Sequence, residues 1–306
     1  KKMRAKRIKQ GAITFDRVEV KFRLDQANNP SGVYFKKAKD ANKLIEEFML
    51  LANRQVALFI GKKMDGTPSK KPFVYRVHDV PDPDKIDAFS AFVKQFGYQM
   101  MMKTTKDIAN SMNRVLADIS GKREENIVEL LAIRTMSKAK YTTENIGHYG
   151  LGFTYYTHFT SPIRRWPDVM VHRLLQRYLD DEKVINKEAI EEQCKHSSEM
   201  EKLSTDAERS SIKYMQVKYL EGKEGYEFNA LVSGVTEFGM FVELEDSLCE
   251  GLVSMRYIKD DHYVLNKESY SLIGRKTGNK FQLGDPLRVR VRNVDLVKKQ
   301  LDFELV

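Results

Sequence analysis

The sequence predicts a mixed α+β or α/β portion running to about residue 222, followed by a small all-β barrel. Three observations point to this. Up to Leu220 long helical periods alternate with short strand-like runs, Gly222 and Gly225 then punctuate the chain, and short β-rich runs separated by turns fill the rest. The boundaries are accordingly placed at 1–222 and 223–306.

Taken in order, Met3 to Lys9 alternates bases with few apolar residues and stops at Gly11, the pattern of a helix end. Ala12 to Leu24 is strand-like, with Val18, Val20, Phe22 and Leu24 on one face, and Asn28 to Gly32 is a turn. Asp40 is placed to cap a long helix whose apolar side carries Leu44, Ile45, Phe48, Met49, Ala52, Val56 and Phe59. A polar loop from Lys62 to Lys71 precedes a short strand from Phe73 to His78, and Pro81 to Asp84 opens another helix. Helical periods follow over Thr105 to Ser120, Glu124 to Arg134, Pro162 to Leu179 and Lys187 to Leu220, with a loop rich in Gly and aromatics from Gly147 to Phe159. The late β runs are Phe228 to Val232, Gly239 to Leu244, Leu252 to Met255, Leu287 to Val294 and Gln300 to Val306, the pattern of a small antiparallel barrel.

Composition narrows the function. The chain has 306 residues, 42% of them hydrophobic, enough for ordinary globular cores. Its longest apolar runs fall far short of the ~18 residues that cross a bilayer, so no membrane partner is expected. The opening Lys1-Lys2-Met3-Arg4 has no apolar core behind it, and the true beginning is expected upstream. Cys194 and Cys249 lie far apart without chelating neighbours, as small buried residues of a cytoplasmic protein would. The net charge is +9, yet from Lys223 to the end 12 basic side chains face 14 acidic ones. The positive excess therefore lies in the first portion, where it suits a polyanion, because neutralising phosphates releases condensed counterions.

The sharpest motif is His158-Phe159-Thr160-Ser161-Pro162-Ile163-Arg164-Arg165-Trp166-Pro167-Asp168, continuing to Val171-His172-Arg173. A hydroxyl-bearing loop before a helix N-terminus at Pro162 would present oriented N–H donors to an anion, and Arg164 and Arg165 add forked guanidinium donors suited to phosphate. By residue type alone, a capped basic helix is the favoured reading. His158 and His172 have no local partner that would make them a ligand pair, and both are read as structural.

The full string resembles the signature of the ribonuclease II/ribonuclease R (RNB) family. Gly11 to Phe15, Asp40 to Asn53 and Pro72 to Pro83 resemble further stretches of the same domain in the same order. The resemblance implies an RNB catalytic-domain portion over 1–222 and, as a full protein, a processive 3′-to-5′ exoribonuclease that hydrolyses single-stranded RNA to nucleoside 5′-monophosphates. It implies that Arg164 contacts the phosphate being cleaved, that Phe15 helps clamp the terminal bases, that Glu46 meets the terminal sugar, and that Glu208 is a further RNA contact. Arg165 is assigned to backbone steering or packing. Trp166 stands where the family commonly has Tyr, which keeps the ring and loses a hydroxyl.

One departure is large. The family holds magnesium with a cluster of Asp residues placed before the Gly-Ala motif, and no such cluster occurs here. Asp79, Asp82, Asp84 and Asp87 have the wrong spacing and are read as capping and surface residues. No metal ligand is assigned. Magnesium is the implied cofactor, its ligands expected upstream in missing sequence or on a second polypeptide, so this chain alone is expected to be inactive. An N-terminal fragment of the same protein is a candidate partner, and the full-length protein is expected to be a monomer.

The tail carries a second resemblance. Gly234 to Val242 and Glu250 to Val253 are similar to an S1 domain, an OB-fold barrel that binds RNA. Phe238 and Phe241 either stack on bases or fill the barrel core; exposure is favoured because Gly239 opens the strand between them. Ser254 stands where many members have His, and Tyr257, Arg290, Arg292 and Lys299 are additional candidate contacts. A competing reading is a non-catalytic RNA-binding protein built from a decayed catalytic domain and an S1 barrel. An Asp cluster in an upstream segment would separate the two.

Overall fold

The computed structural model describes residues 1–14, 19–122, 124–182, 186–266 and 269–306, without the side chains of residues 19 and 126. In chain order the elements are α1 (Lys2–Lys9), β1 (Glu19–Leu24), β2 (Pro30–Lys36), α2 (Asp40–Gly61), β3 (Tyr75–Val77), α3 (Pro83–Lys94), α4 (Thr105–Asp118), α5 (Glu125–Thr135), β4 (Lys140–Thr142), α6 (Trp166–Leu179) and α7 (Lys187–Leu220). There follow β5 (Glu227–Thr236), β6 (Gly239–Leu244), β7 (Glu250–Ser254), β8 (Tyr263–Asn266), β9 (Ser271–Gly274), β10 (Lys280–Gln282), β11 (Pro286–Asp295) and β12 (Gln300–Leu305). Two compact units result. The first comprises Lys1–Asp16, Ala38–Ser120 and Val128–Ser204, the second Arg17–Lys37, Gly121–Ile127 and Thr205–Val306.

In the first unit β3 and β4 pair antiparallel, Tyr75 opposite Thr142. Around them Ala57 and Ile60 of α2, Phe73, Val74, Val171 of α6 and Cys194 of α7 form a buried core. Helix starts follow local chemistry: Asp82 caps α3 by accepting the Asp84 N–H at 3.0 Å, and Thr104 caps α4 by accepting that of Asp107 at 3.1 Å.

Helix α2 corrects the sequence reading twice. Its cap is Lys39 rather than Asp40, and the Lys39 N–H is taken by the Asn42 carboxamide at 3.0 Å. Its buried stripe is Glu47, Leu50, Asn53, Ala57, Ile60 and Gly61, whereas Leu44, Ile45, Phe48 and Phe59 are all more than half exposed. The polar members of the stripe are buried because they are paired. Glu47 accepts Arg7 Nη2 at 2.6 Å, and Asn53 donates to the Tyr156 hydroxyl at 3.1 Å while accepting the Phe159 N–H at 2.9 Å. Of the expected stripe only Met49, Ala52 and Val56 are partly buried, Val56 against the core, so apolar periodicity overlaps the packed face without defining it.

Helix α6 begins at Trp166, four residues later than the Pro162 start read from sequence. The intervening turn is held by the Asp168 carboxylate, which accepts the Ser161 N–H at 2.8 Å and so keeps Ser161 to Arg165 out of the helix. Residues 15–18, within the expected strand from Ala12 to Leu24, lie outside the described residues; β1 starts at Glu19. The expected turn at Asn28 to Gly32 sits earlier, where Asp25 Oδ1 accepts the N–H groups of Ala27 and Asn29, both at 2.9 Å, and Pro30 already begins β2.

In the second unit β1 and β2 form an antiparallel hairpin. The strands β11-β12-β7-β6-β5 close into a barrel around Val232, Met240, Val242, Val253, Val291 and Phe303. The barrel is not wholly antiparallel, because β12 runs parallel to β7. A three-stranded sheet, β10-β9-β8, was not anticipated. Its strands are three or four residues long, too short to display a period.

Candidate nucleic-acid interface

A cavity of about 470 Å³ opens in the first unit between α2 and the segment leading into α6. One wall is apolar, from Ile45, Met49 and Leu50; the other is polar, from Tyr156, His158, Thr160 and Arg165, with Glu46 at 54% side-chain exposure. Arg165, with a fifth of its side chain exposed, donates from Nη2 to the fully buried Asp168 at 2.8 Å. Thr160 Oγ1, Arg165 Nε and Asp168 Oδ2 are buried yet have no hydrogen-bond partner among the described residues. Orphan polar atoms in a concave site are what a ligand or ordered water satisfies.

The floor is kept neutral. The Tyr141 hydroxyl lies 2.8 Å from His158 Nδ1. Burial, with Arg165 and Arg76 nearby, pushes the His158 pKa down to about 2. Burial and the neighbouring His78, whose ring stacks on it at 5.1 Å, push His148 down to about 3. Burial raises Tyr141 to about 12. These imidazoles stay uncharged near neutral pH and are poor proton shuttles. Positive charge thus enters the cavity through Arg165, against an apolar wall and a neutral hydrogen-bonding floor, a combination suited to a phosphate attached to an apolar ring or sugar.

The sequence-derived residues are distributed as follows. Arg165 and Glu46 meet in this cavity. Arg164 is exposed in the turn just before α6, beside Ile163, which is almost wholly exposed. Glu208 is exposed on α7 within the second unit, and Phe15 lies outside the described residues. His172 stacks its ring on Phe159 at 3.9 Å. Trp166 is half-exposed under Arg173, whose guanidinium carbon lies 5.2 Å from the ring centroid. The sequence reading missed Tyr156 and the buried Arg7–Glu47 pair, whose partners stand far apart along the chain.

In the second unit Phe238 is 72% exposed and Phe241 37%, the exposure favoured from sequence. Gly239 between them is obligatory: a Cβ there would stand 2.2 Å from the Val253 carbonyl oxygen, and its φ is +148°. The arginines of β11 are already occupied. Arg290 lies 2.8 Å from Glu227 and 3.4 Å from Glu304, and Arg292 covers the Tyr257 ring at 3.8 Å while reaching Glu304 at 3.0 Å. Lys299 is hydrogen-bonded to Ser210.

Among the described residues no group of three or more His, Cys, Asp or Glu side chains could hold a metal ion, and no helix is long and apolar enough to cross a membrane. Asp82 acts as the helix cap expected of it. The described residues therefore do not fit the magnesium that the signature implies.

The RNB domain profile matches residues 1–181. The chain belongs to the RNB family. Its remainder matches the S1 RNA binding domain over residues 221–305, in agreement with the all-β barrel. Among curated RNB relatives, ribonuclease R of Aquifex aeolicus is 37% identical over 304 residues, covering 98% of this chain and 42% of that protein. The apo form of Mycoplasma genitalium RNase R superposes with a TM-score of 0.89 at 28% identity over 99% of this chain and 48% of that one. The same enzyme in complex with ribose methylated single-stranded RNA gives a TM-score of 0.88 at 27% identity, with the same coverage. The chain thus spans about two-fifths of the length of the curated relative and half of the solved structures.

Proposed function

We propose that this chain is the RNA-gripping part of a hydrolytic 3′-to-5′ exoribonuclease acting on single-stranded RNA in the cytoplasm, with residues 1–222 forming a portion of the catalytic domain and 223–306 an S1 domain. The observation that carries the reading is the cavity where Arg165, braced by Asp168, faces the apolar wall of α2 beside unsatisfied polar atoms. A terminal nucleotide placed there would set its ring and sugar against Ile45, Met49 and Leu50, with Glu46 accepting from sugar hydroxyls and Arg165 steering the backbone. Phe15 would stack on the last bases and Glu208 would add a contact to the strand.

Arg164, exposed and unpaired among the described residues, would turn its fork of N–H donors to the scissile phosphate and stabilise the charge that grows on its oxygens as water attacks. Magnesium, held by ligands outside this chain, would supply the activated water in the full protein. Phe238 and Phe241 would stack on bases of the incoming strand, giving affinity without sequence selection.

The alternative is an RNA-binding protein whose catalytic domain has decayed. Both readings require RNA binding. Anisotropy titration of a labelled 20-nucleotide oligo-A without divalent metal should give saturable, salt-weakened binding, and Phe238→Ala should cost about 1–3 kcal/mol of it for a stacked base. An oligo-A that the chain does not bind would overturn both. Monophosphate release by the full-length protein, abolished by chelation, would separate the enzyme from its decayed counterpart.

A further inference from the structure

The barrel region poses an electrostatic problem. From Lys223 onward acidic side chains outnumber basic ones, 14 to 12, so an RNA strand meets net negative charge there. Much of its positive charge is also committed. Besides the Arg290 and Arg292 pairs, Arg288 Nε lies 3.0 Å from Glu227 and Lys298 Nζ 3.7 Å from Asp295. An arginine bound to two carboxylates offers a phosphate little that it does not already hold.

The uncommitted charge is concentrated elsewhere. From Arg256 to Lys280 there are six basic and three acidic residues. Three of the cations cluster at the β9–β10 turn, Arg275 and Lys276 on the loop itself and Lys280 at the first position of β10. Every residue from Arg275 to Lys280 is exposed, and these three side chains form no ion pair with a described residue.

The loop is nevertheless fastened from within. Asp261 accepts the N–H of Lys276 at 2.9 Å, that of Thr277 at 2.7 Å and the Thr277 hydroxyl at 2.7 Å. Asp260 takes the Tyr263 hydroxyl at 2.8 Å and the Asn279 carboxamide at 3.5 Å. The Arg275 N–H donates to the His262 carbonyl at 3.0 Å, that of Gly278 to Gly274 at 3.1 Å and that of Asn279 to Thr277 Oγ1 at 3.2 Å. Gly274 is required beneath this knot, since a Cβ would stand 2.5 Å from Asp261 Oδ2. The hydrogen bonds from Thr277 hold the Asp261 carboxyl far below the usual carboxylate range, so the anchor stays ionised and intact at any working pH.

With the backbone donors from Arg275 to Asn279 all spent internally, only side chains are left to meet a ligand. Three cations on a pre-ordered prong, unpaired among the described residues, suit the repeated phosphates of a strand, because little conformational freedom is lost when it binds. We infer that the β9–β10 turn, through Arg275 and Lys276 of its loop and Lys280 at the start of β10, is the phosphate-gripping element of the barrel for single-stranded RNA, a role that the arginines of β11 do not fill. The inference rests on the RNA-binding reading above.

The test compares the parent chain with a variant carrying Arg275→Gln, Lys276→Gln and Lys280→Gln, titrated against 20-nucleotide oligo-A and oligo-dA over a range of salt. For a single strand each phosphate contact contributes about 0.7 to the slope of log K against log salt, so the slope should fall by about 2 and affinity at 0.1 M salt by about 10². The loss should be equal for the two oligonucleotides, because phosphates and not sugars are gripped. Unchanged melting of the variant is expected, since the substituted side chains are exposed. An unaltered dissociation constant and salt slope in the variant, with the parent binding normally, would overturn the loop's role. A parent chain that binds no oligo-A would instead overturn the reading on which it rests.

Discussion

Asp168 accepts both the Ser161 backbone N–H and the Arg165 guanidinium through one carboxylate oxygen, each at 2.8 Å, and none of its surface is open to solvent. A single buried side chain thus ties together the two ends of the turn that carries Arg164. Removing it leaves a largely buried guanidinium without a counter-charge and a loop N–H without an acceptor. Asp168→Ala should therefore destabilise the fold by about 3–5 kcal/mol. Asp168→Asn, which keeps an acceptor for Ser161, should cost less. Urea unfolding measures both, and a near-native Asp168→Ala would mean that the pair does not hold the turn.

The two faces of α2 make opposite predictions. Leu50 is 8% exposed and packs with Phe153 and Tyr156, so Leu50→Ala should cost about 2–5 kcal/mol. Phe48, more than half exposed, should tolerate Phe48→Ser within about 0.5 kcal/mol. The reverse order in thermal melting would restore the face that the sequence pattern suggested.

That inversion shows what the sequence could and could not carry. Helix α7 and strand β6 were legible at their observed ends because each has a sustained period bounded by turn residues. The buried stripe of α2 was not, since Glu47 and Asn53 are admitted to the interior by partners that are remote in sequence. Arg165 was legible as a phosphate-suited group from its motif, but its seat in the cavity depends on Asp168, whose role appears only once the turn is folded. Tyr156 carried no local signal. The β8–β10 sheet escaped notice because such short strands are specified by their neighbours.

Acid should weaken the protein through its buried imidazoles. His158 and His148 have folded pKa values of about 2 and about 3, against 6.5 for a free imidazole. Below pH 6.5 the unfolded chain takes up protons that the folded one refuses, so their contribution is complete above that pH and is lost as pH falls toward the folded values. The slope is up to about 1.4 kcal/mol per pH unit for each imidazole. Urea unfolding from pH 7 to 5 should show this decline, and His158→Gln should reduce the slope by about one proton's worth. A parent and variant with the same pH dependence would show that His158 ionises freely in the fold.

Arg164→Lys, placed in the full-length protein, keeps a positive charge but loses the planar pair of donors that fits a phosphate as it becomes pentacoordinate. Loss of one transition-state donor typically costs about 10²–10³ in turnover, so kcat should fall by that factor while the RNA dissociation constant changes little. Arg165→Lys should be milder. Single-turnover rates beside equilibrium binding separate the effects, and an equal fall in rate and affinity for Arg164→Lys would leave it a tether among others.

The most direct test is a gel. Labelled oligo-A is incubated with this chain and magnesium, at a protein concentration where binding is saturated. A chain that grips RNA without holding the metal should retain the oligonucleotide intact over hours. Accumulating nucleoside monophosphates, with protein free of contaminating nuclease, would contradict the account and place a working metal site within these residues.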